Sequence, residues 1–265
     1  MRRKKIVIGN RTSLLRSLRR HFLDKNIILS VDGLTKHYKN FSLKDVTIHI
    51  EKGKITGFIG NNGAGKTTTL RCILGLSPYQ KGEIKVNGFT MKENEEKFKS
   101  MVGVVFDAGY FYEFLTLDQM KGIVEKSYSN WNDSVYQEYL QKFSLRGDSK
   151  ISELSKGMKM KYSLVIALSH DAQILILDEP ASGLDPKSRS WLCEELLAQK
   201  EQGKTIFFST HITSDLDKIG DNIVLLEQGE ILYSGSKEEF LALGKAPADD
   251  IEAIMLAIIE DRSKQ

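Results

Sequence analysis

Gly60-Asn61-Asn62-Gly63-Ala64-Gly65-Lys66-Thr67 decides how this chain is read. The stretch fits the spacing Gly-x-x-x-x-Gly-Lys-Ser/Thr in full. An apolar strand pattern, Ile55-Thr56-Gly57-Phe58-Ile59, precedes it, and a helix pattern runs from about Lys66 to Leu74 after it. Glycines at these places let the backbone curl so that successive N–H groups point inward at anionic oxygens. The helix that follows adds the positive end of its dipole. Gly60, Asn61, Asn62, Gly63, Ala64 and Gly65 are therefore read as a phosphate cradle, with Thr68 at the start of the helix. Lys66 is placed to reach the β- and γ-phosphates, and the Thr67 hydroxyl to ligate Mg²⁺.

Further along, Ile174-Leu175-Ile176-Leu177-Asp178-Glu179 is an apolar strand ending in two carboxylates, and Pro180 stops it. Asp178 can hold Mg²⁺ through its water shell. Glu179 can polarise a water for in-line attack on a γ-phosphate. Two carboxylates at a strand end can also be plain solvent-facing residues. Beside an intact phosphate loop the catalytic reading is preferred, which makes the chain a P-loop NTPase.

Working outward, buried-strand runs recur at Val102–Phe106, 174–177, Thr205–Ser209 and 223–226, with helical segments between them. Strands alternating with helices imply a parallel sheet. Upstream, Ile27-Ile28-Leu29 and Val31 read as a strand. Val46, Ile48 and Ile50 alternate with polar residues, and Ile84-Lys85-Val86 runs into the tight-turn pair Asn87-Gly88. From about Gly109 to His170 the pattern is helical: Thr116 with Gln119 makes a capping box, and Val135, Tyr136, Tyr139, Leu140 and Phe143 share one helical face. The expected fold is α/β: a P-loop NTPase core with a mostly parallel sheet, an antiparallel β subdomain and an inserted α-helical subdomain. The expected divisions are a basic N-terminal extension (1–26), an ATPase domain (27–244, helical insertion about 109–170) and a C-terminal helical tail (245–265). In that tail Ile251, Ile254, Met255 and Ile258 fall at helical spacing and are expected to pack on the core.

Composition narrows the function classes. The chain has 265 residues, 41% hydrophobic, enough to bury a full core. A net charge of +3 excludes a polycation built for nucleic acid. The positive charge crowds into the extension, where Leu14, Leu15, Leu18, Phe22 and Leu23 recur at helical spacing among arginines. Two readings compete there: an amphipathic helix on an anionic membrane surface, or a solvated tail, which is favoured because the domain pattern begins at Ile27. Cys72 and Cys193 stand far apart without metal-ligand spacing and fit a reducing compartment. No apolar run approaches the roughly 20 residues of a membrane-spanning helix. A cytoplasmic chain whose membrane role needs a partner is expected.

Three further elements narrow the class: Leu154-Ser155-Lys156-Gly157-Met158 before the acidic strand, Ser182-Gly183-Leu184-Asp185-Pro186 after it, and Ser209-Thr210-His211 at the end of the next strand. In that order the whole set resembles the ABC ATPase family, with its Walker A loop, signature, Walker B strand, D-loop and switch histidine, over Ile27 to about Leu243. The resemblance implies ATP and Mg²⁺ as ligands. It implies two such domains paired head to tail, as a homodimer or a heterodimer, and a separate transmembrane permease as partner at the inner face of the cell membrane. It implies no nucleic acid. It makes Tyr38 the aromatic that stacks on adenine, the alternative being a surface tyrosine. It has Ser155 and Gly157 contact the γ-phosphate of the opposite subunit, Asp185 link the two sites, and His211 hold the phosphate and the attacking water in line, with Lys66 and Glu179 catalytic. The signature departs from Leu-Ser-Gly-Gly-Gln at Lys156 and Met158, and Asp107 stands where the family has a glutamine that ligates Mg²⁺. Such departures resemble exporter ATPases encoded apart from their membrane subunit. The rival class is a soluble ABC ATPase without a transport role, such as one in cofactor assembly.

Overall fold

Two kinds of strand pattern give two sheets. The computed structural model describes residues 26–106, 110–244 and 250–263. Ile27–His37 (β1) and Ser42–Glu51 (β2) are long, and β2 buries every second residue over 46–50. Ile55–Ile59 (β3) is buried throughout and leads through the glycine loop into Lys66–Ile73 (α1). Lys81–Val86 (β4) pairs antiparallel with β1, giving a three-stranded sheet ordered β2-β1-β4. The chain continues through Glu95–Ser100 (α2) and Val102–Phe106 (β5) into three helices, Leu117–Val124 (α3), Asp133–Lys142 (α4) and Lys156–Leu168 (α5). It returns as Ile174–Asp178 (β6), Pro186–Glu201 (α6), Thr205–Ser209 (β7), Thr213–Ile219 (α7), Asn222–Glu227 (β8), Glu230–Ser236 (β9), Lys237–Leu241 (α8) and Ile251–Ser263 (α9).

The second sheet has six strands in the order β5-β6-β7-β3-β8-β9, parallel except for the edge strand β9. The strands β3, β6 and β7 are buried along their whole length, which is why they read as unbroken apolar runs. Register matters most for function. Ser209 at the end of β7 lies opposite Asp178 at the end of β6 and beside Phe58 near the end of β3. The carboxyl ends of these strands thus converge, the usual place for a ligand on an open parallel sheet.

Two apolar clusters hold the layers. One lies between the sheets, where Leu29, Val31 and Ile48 meet Phe58, Ile174 and Phe207, with the Phe58 and Phe207 rings stacked at 5.3 Å. The other joins the parallel sheet to the helices through Val105, Leu117, Tyr136, Leu140, Tyr162 and Leu175. Each large side chain fully buried there stabilises the fold by about 1.5–3 kcal/mol. The capping box is present: Thr116 Oγ1 accepts from Gln119 N (3.2 Å), and Thr116 N donates to Gln119 Oε1 (2.9 Å). The tail helix α9 buries Ile251, Ile254 and Met255, as its spacing predicts. None of the described helices is long and apolar enough to cross a membrane. Three elements escape the sequence reading: α2, β9 and α8. Asp107 and the N-terminal leucine stripe lie outside the described residues.

Candidate nucleotide site

The loop after β3 takes its shape from backbone positions closed to side chains. At Gly60 (φ +151°) an added Cβ would sit 2.0 Å from the Leu226 carbonyl oxygen. At Gly65 (φ +114°) it would sit 2.6 Å from the Phe41 ring. Ala64 is buried and its carbonyl accepts from Gly229 N (2.9 Å), so the β8–β9 hairpin buttresses the loop from behind. Gly65 caps α1 without a side-chain acceptor, and the first turn of α1 holds no acid. The positive end of this helix is left open.

It opens onto a recess of about 460 Å³ lined by Phe41, Asn61, Asn62, Gly63, Gly65, Lys66, Thr67, Thr68, Glu179, Ser182 and His211. Lys66 is buried there; its ammonium donates to Gly60 O (2.7 Å) and Asn61 O (3.3 Å) and lies 3.6 Å from Glu179 Oε1. These are weak or replaceable partners for a charge, so the ammonium is available to an incoming anion.

Behind the recess the two carboxylates are held differently. Asp178 Oδ1 accepts from Ser209 Oγ (2.7 Å) and from Thr67 Oγ1 (3.2 Å). Both bonds fall on one oxygen, which leaves Oδ2 for another partner. Glu179 takes the left-handed backbone conformation (φ +50°), a strain on the order of 1 kcal/mol for a residue with a Cβ. Its N–H donates to Ser209 Oγ (2.9 Å), and its Oε2 faces His211 Nδ1 (2.6 Å) and accepts from His211 N (3.3 Å). Opposite a carboxylate oxygen, Nδ1 is the protonated nitrogen, which leaves Nε2 unengaged by this pair.

A hydroxyl and a single carboxylate at a strand end are the sparse oxygen set that Mg²⁺ takes alongside phosphate oxygens. The open helix end, the buried ammonium and this pair fit a magnesium-bound triphosphate. Ser209 is the residue the sequence reading missed. It stands immediately before Thr210-His211, and its position opposite Asp178 depends on the pairing of β6 with β7.

The remaining expected residues gather elsewhere. Ser155 caps α5, its hydroxyl accepting from Met158 N (3.2 Å). An added Cβ at Gly157 would lie 2.8 Å from Ser188 Oγ, which itself donates to Asp185 Oδ2 (2.5 Å). Asp185 caps α6 by accepting from Lys187 N and Ser188 N, and the Ser188 hydroxyl holds its carboxyl below the usual aspartate range. The Lys156 side chain lies against Gly183. None of Ser155, Gly157 and Asp185 lines the phosphate recess. Tyr38 does not line it either. It is 50% exposed and borders an adjoining recess of about 530 Å³, which shares Phe41 and Gly63 with the first. Phe41 is the aromatic that reaches both.

Known proteins match this architecture. The sequence model of the family described as ABC transporter matches residues 43–182. An ABC transporter ATP-binding protein of Synechocystis sp. is 35% identical over 79% of the chain, and the match spans 60% of that relative's length. The bacitracin transport ATP-binding protein BcrA of Enterococcus faecalis is 32% identical over 77% of the chain and 68% of its own length. A solved structure of an ATP-binding subunit of an ABC transporter superposes with a TM-score of 0.79 at 28% identity, covering 88% of this chain and 99% of that one. The chain belongs to the ABC transporter family.

Proposed function

We propose that this chain hydrolyses ATP to ADP and phosphate and passes the energy to a separate membrane permease. One observation carries the reading: the ends of β3, β6 and β7 bring Lys66, Thr67, Asp178, Glu179 and His211 around one recess with an open helix end. The loop from Gly60 to Thr68 wraps the phosphates. Thr67 and Asp178 hold Mg²⁺, with Asp107 at the usual glutamine position as a third oxygen ligand. Mg²⁺, when bound, neutralises charge on the β- and γ-phosphate oxygens. Glu179 takes a proton from the attacking water, whose oxygen bonds to the γ-phosphorus as the bond to the ADP oxygen breaks. Lys66 stabilises the charge that develops, and His211 keeps water and phosphate in line.

Ser155, Gly157 and Asp185 serve a second subunit. Ser155 and Asp185 are exposed and, among the described residues, bond at their own helix starts, which supports a head-to-tail dimer in which each signature closes the partner's ATP site. Both half-sites are intact in one chain, so a homodimer suffices, though a heterodimer uses the same surfaces. Residues 27–244 form the ATPase domain, with the helical insertion at about 109–170. The permease docks beside that insertion, where Tyr110, Tyr112, Phe114 and Ile123 stand exposed. This places the chain on the inner face of the cell membrane. Export is the favoured direction, supported by the signature departures at Lys156 and Met158.

The test is capture of tagged Glu179→Gln chain, with ATP, from detergent-solubilised membranes of the source organism. Recovery of a multi-spanning permease supports the transporter reading. Recovery of soluble proteins only, with ATP-dependent dimers intact, overturns transport and favours a soluble ATPase.

A further inference from the structure

Lys36 is an ammonium in a costly place. It is only 5% exposed. Among the described residues it forms no ion pair. Its nitrogen donates to the Pro78 carbonyl, and it stands over the Tyr38 ring, 4.6 Å from the centroid. A buried cation without a carboxylate is disfavoured unless something else holds it. A carbonyl and an aromatic face are such partners, the second through the ring's quadrupole.

The arrangement is directional. Lys36 lines neither recess, whereas Tyr38 borders the one that adjoins the phosphate recess. The ammonium covers one face of the ring and lies outside both recesses. Tyr38 is otherwise lightly held: the ring is half exposed, its hydroxyl lies 3.4 Å from Ser77 Oγ, and its N–H donates to Phe41 O (2.7 Å). A cation behind an aromatic ring draws electron density toward itself. The outer face becomes less negative and stacks better on an electron-rich purine.

We infer that Lys36 is a positioning residue for the nucleotide base: it fixes the Tyr38 ring and polarises it for stacking on adenine. The inference rests on the reading of Tyr38 as the adenine-stacking residue. Lys36 touches neither phosphate nor base, so it sets affinity and base preference and leaves the chemical step alone.

The test compares MgATP with magnesium tripolyphosphate, which has the phosphates and no base, by titration calorimetry on the full chain. Lys36→Gln keeps a donor for the Pro78 carbonyl and removes the charge. The expected result is an ATP affinity about fivefold weaker, an unchanged tripolyphosphate affinity and an unchanged kcat at saturating ATP. Lys36→Arg restores ATP affinity. Should Lys36→Gln fold poorly, Lys36→Met gives the same comparison. Equal weakening toward both ligands would make Lys36 a structural brace and overturn the inference. Unchanged ATP affinity in Lys36→Gln, with a loss in Tyr38→Ala, overturns the role of Lys36 and leaves stacking by Tyr38 standing. Unchanged ATP affinity in Tyr38→Ala overturns the stacking reading and this inference with it.

Discussion

The phosphate recess and the signature cluster are built to opposite plans. In the recess, polar groups from distant parts of the chain converge: Thr67 and Ser209 meet Asp178, and Lys66 and His211 meet Glu179. In the signature cluster, Ser155 and Asp185 are engaged next to home. Ser155 caps its own helix, and Asp185 caps its own and takes the Ser188 hydroxyl three residues on. The first region can act on an anion by itself. The second presents a capped helix start, and none of Ser155, Gly157 and Asp185 lines the recess. Within the chain, then, the loop residues and the signature residues do not share one recess, as the proposed head-to-tail pairing requires.

The sharpest way to break that contrast is Ser155→Ala. The mutation should lower ATPase turnover about a hundredfold by removing a donor to the partner's γ-phosphate. It should leave ATP affinity of the monomer unchanged and cost about 1 kcal/mol of stability through the lost cap. Steady-state phosphate release, nucleotide titration and denaturant melts check the three parts. Weakened monomer binding would place Ser155 in the same recess as Lys66 and erase the division.

A smaller effect is expected at Ser209, which is buried behind the recess and bonds to Asp178. Ser209→Ala removes the bond to Asp178 Oδ1 and one of two acceptors for Glu179 N–H, the Ser209 carbonyl oxygen (3.2 Å) remaining, so Asp178 loosens most. Turnover should fall about tenfold with little change in dimer formation. Single-turnover hydrolysis against sedimentation of the ATP-bound dimer separates the two readouts.

The smallest effect concerns the far end of the signature helix. His170 is buried, stacks on Tyr128 at 3.9 Å, and has ring nitrogens 3.2 Å from the Ile166 and Val102 carbonyls. Burial, the largest cause, holds its pKa below the ordinary histidine value. In the unfolded chain the ring takes up a proton near pH 6.5, and in the folded chain only at lower pH. Its contribution is therefore complete above about pH 6.5 and is lost as pH falls toward the folded value. Melting temperature should drop across that window, and His170→Gln should flatten the dependence. A slope that survives the substitution would assign it to other groups.

Much of this was legible in the chain because the decisive signals are local. The glycine loop, the runs of β3, β6 and β7, and the Thr116 capping box each depend on neighbours in sequence. What escaped depends on pairing or on turn geometry. Strand β9 is an edge strand of intermediate exposure with no alternation to betray it, and α2 is a short polar helix. Ser209 acquires its role only when β6 and β7 are in register. Tyr38 and Phe41 lie three residues apart in one turn, and the path of the chain after β1 decides which of them reaches the phosphate recess.

In the proposed mechanism Glu179 activates water in a site completed by a second subunit. The direct measurement is ATPase turnover of Glu179→Gln together with its molecular mass in the presence and absence of MgATP. Turnover should fall by on the order of a thousandfold, with a stable dimer that forms only with ATP. Turnover near that of the unmodified chain, or a mass that stays monomeric with ATP bound, would contradict that mechanism.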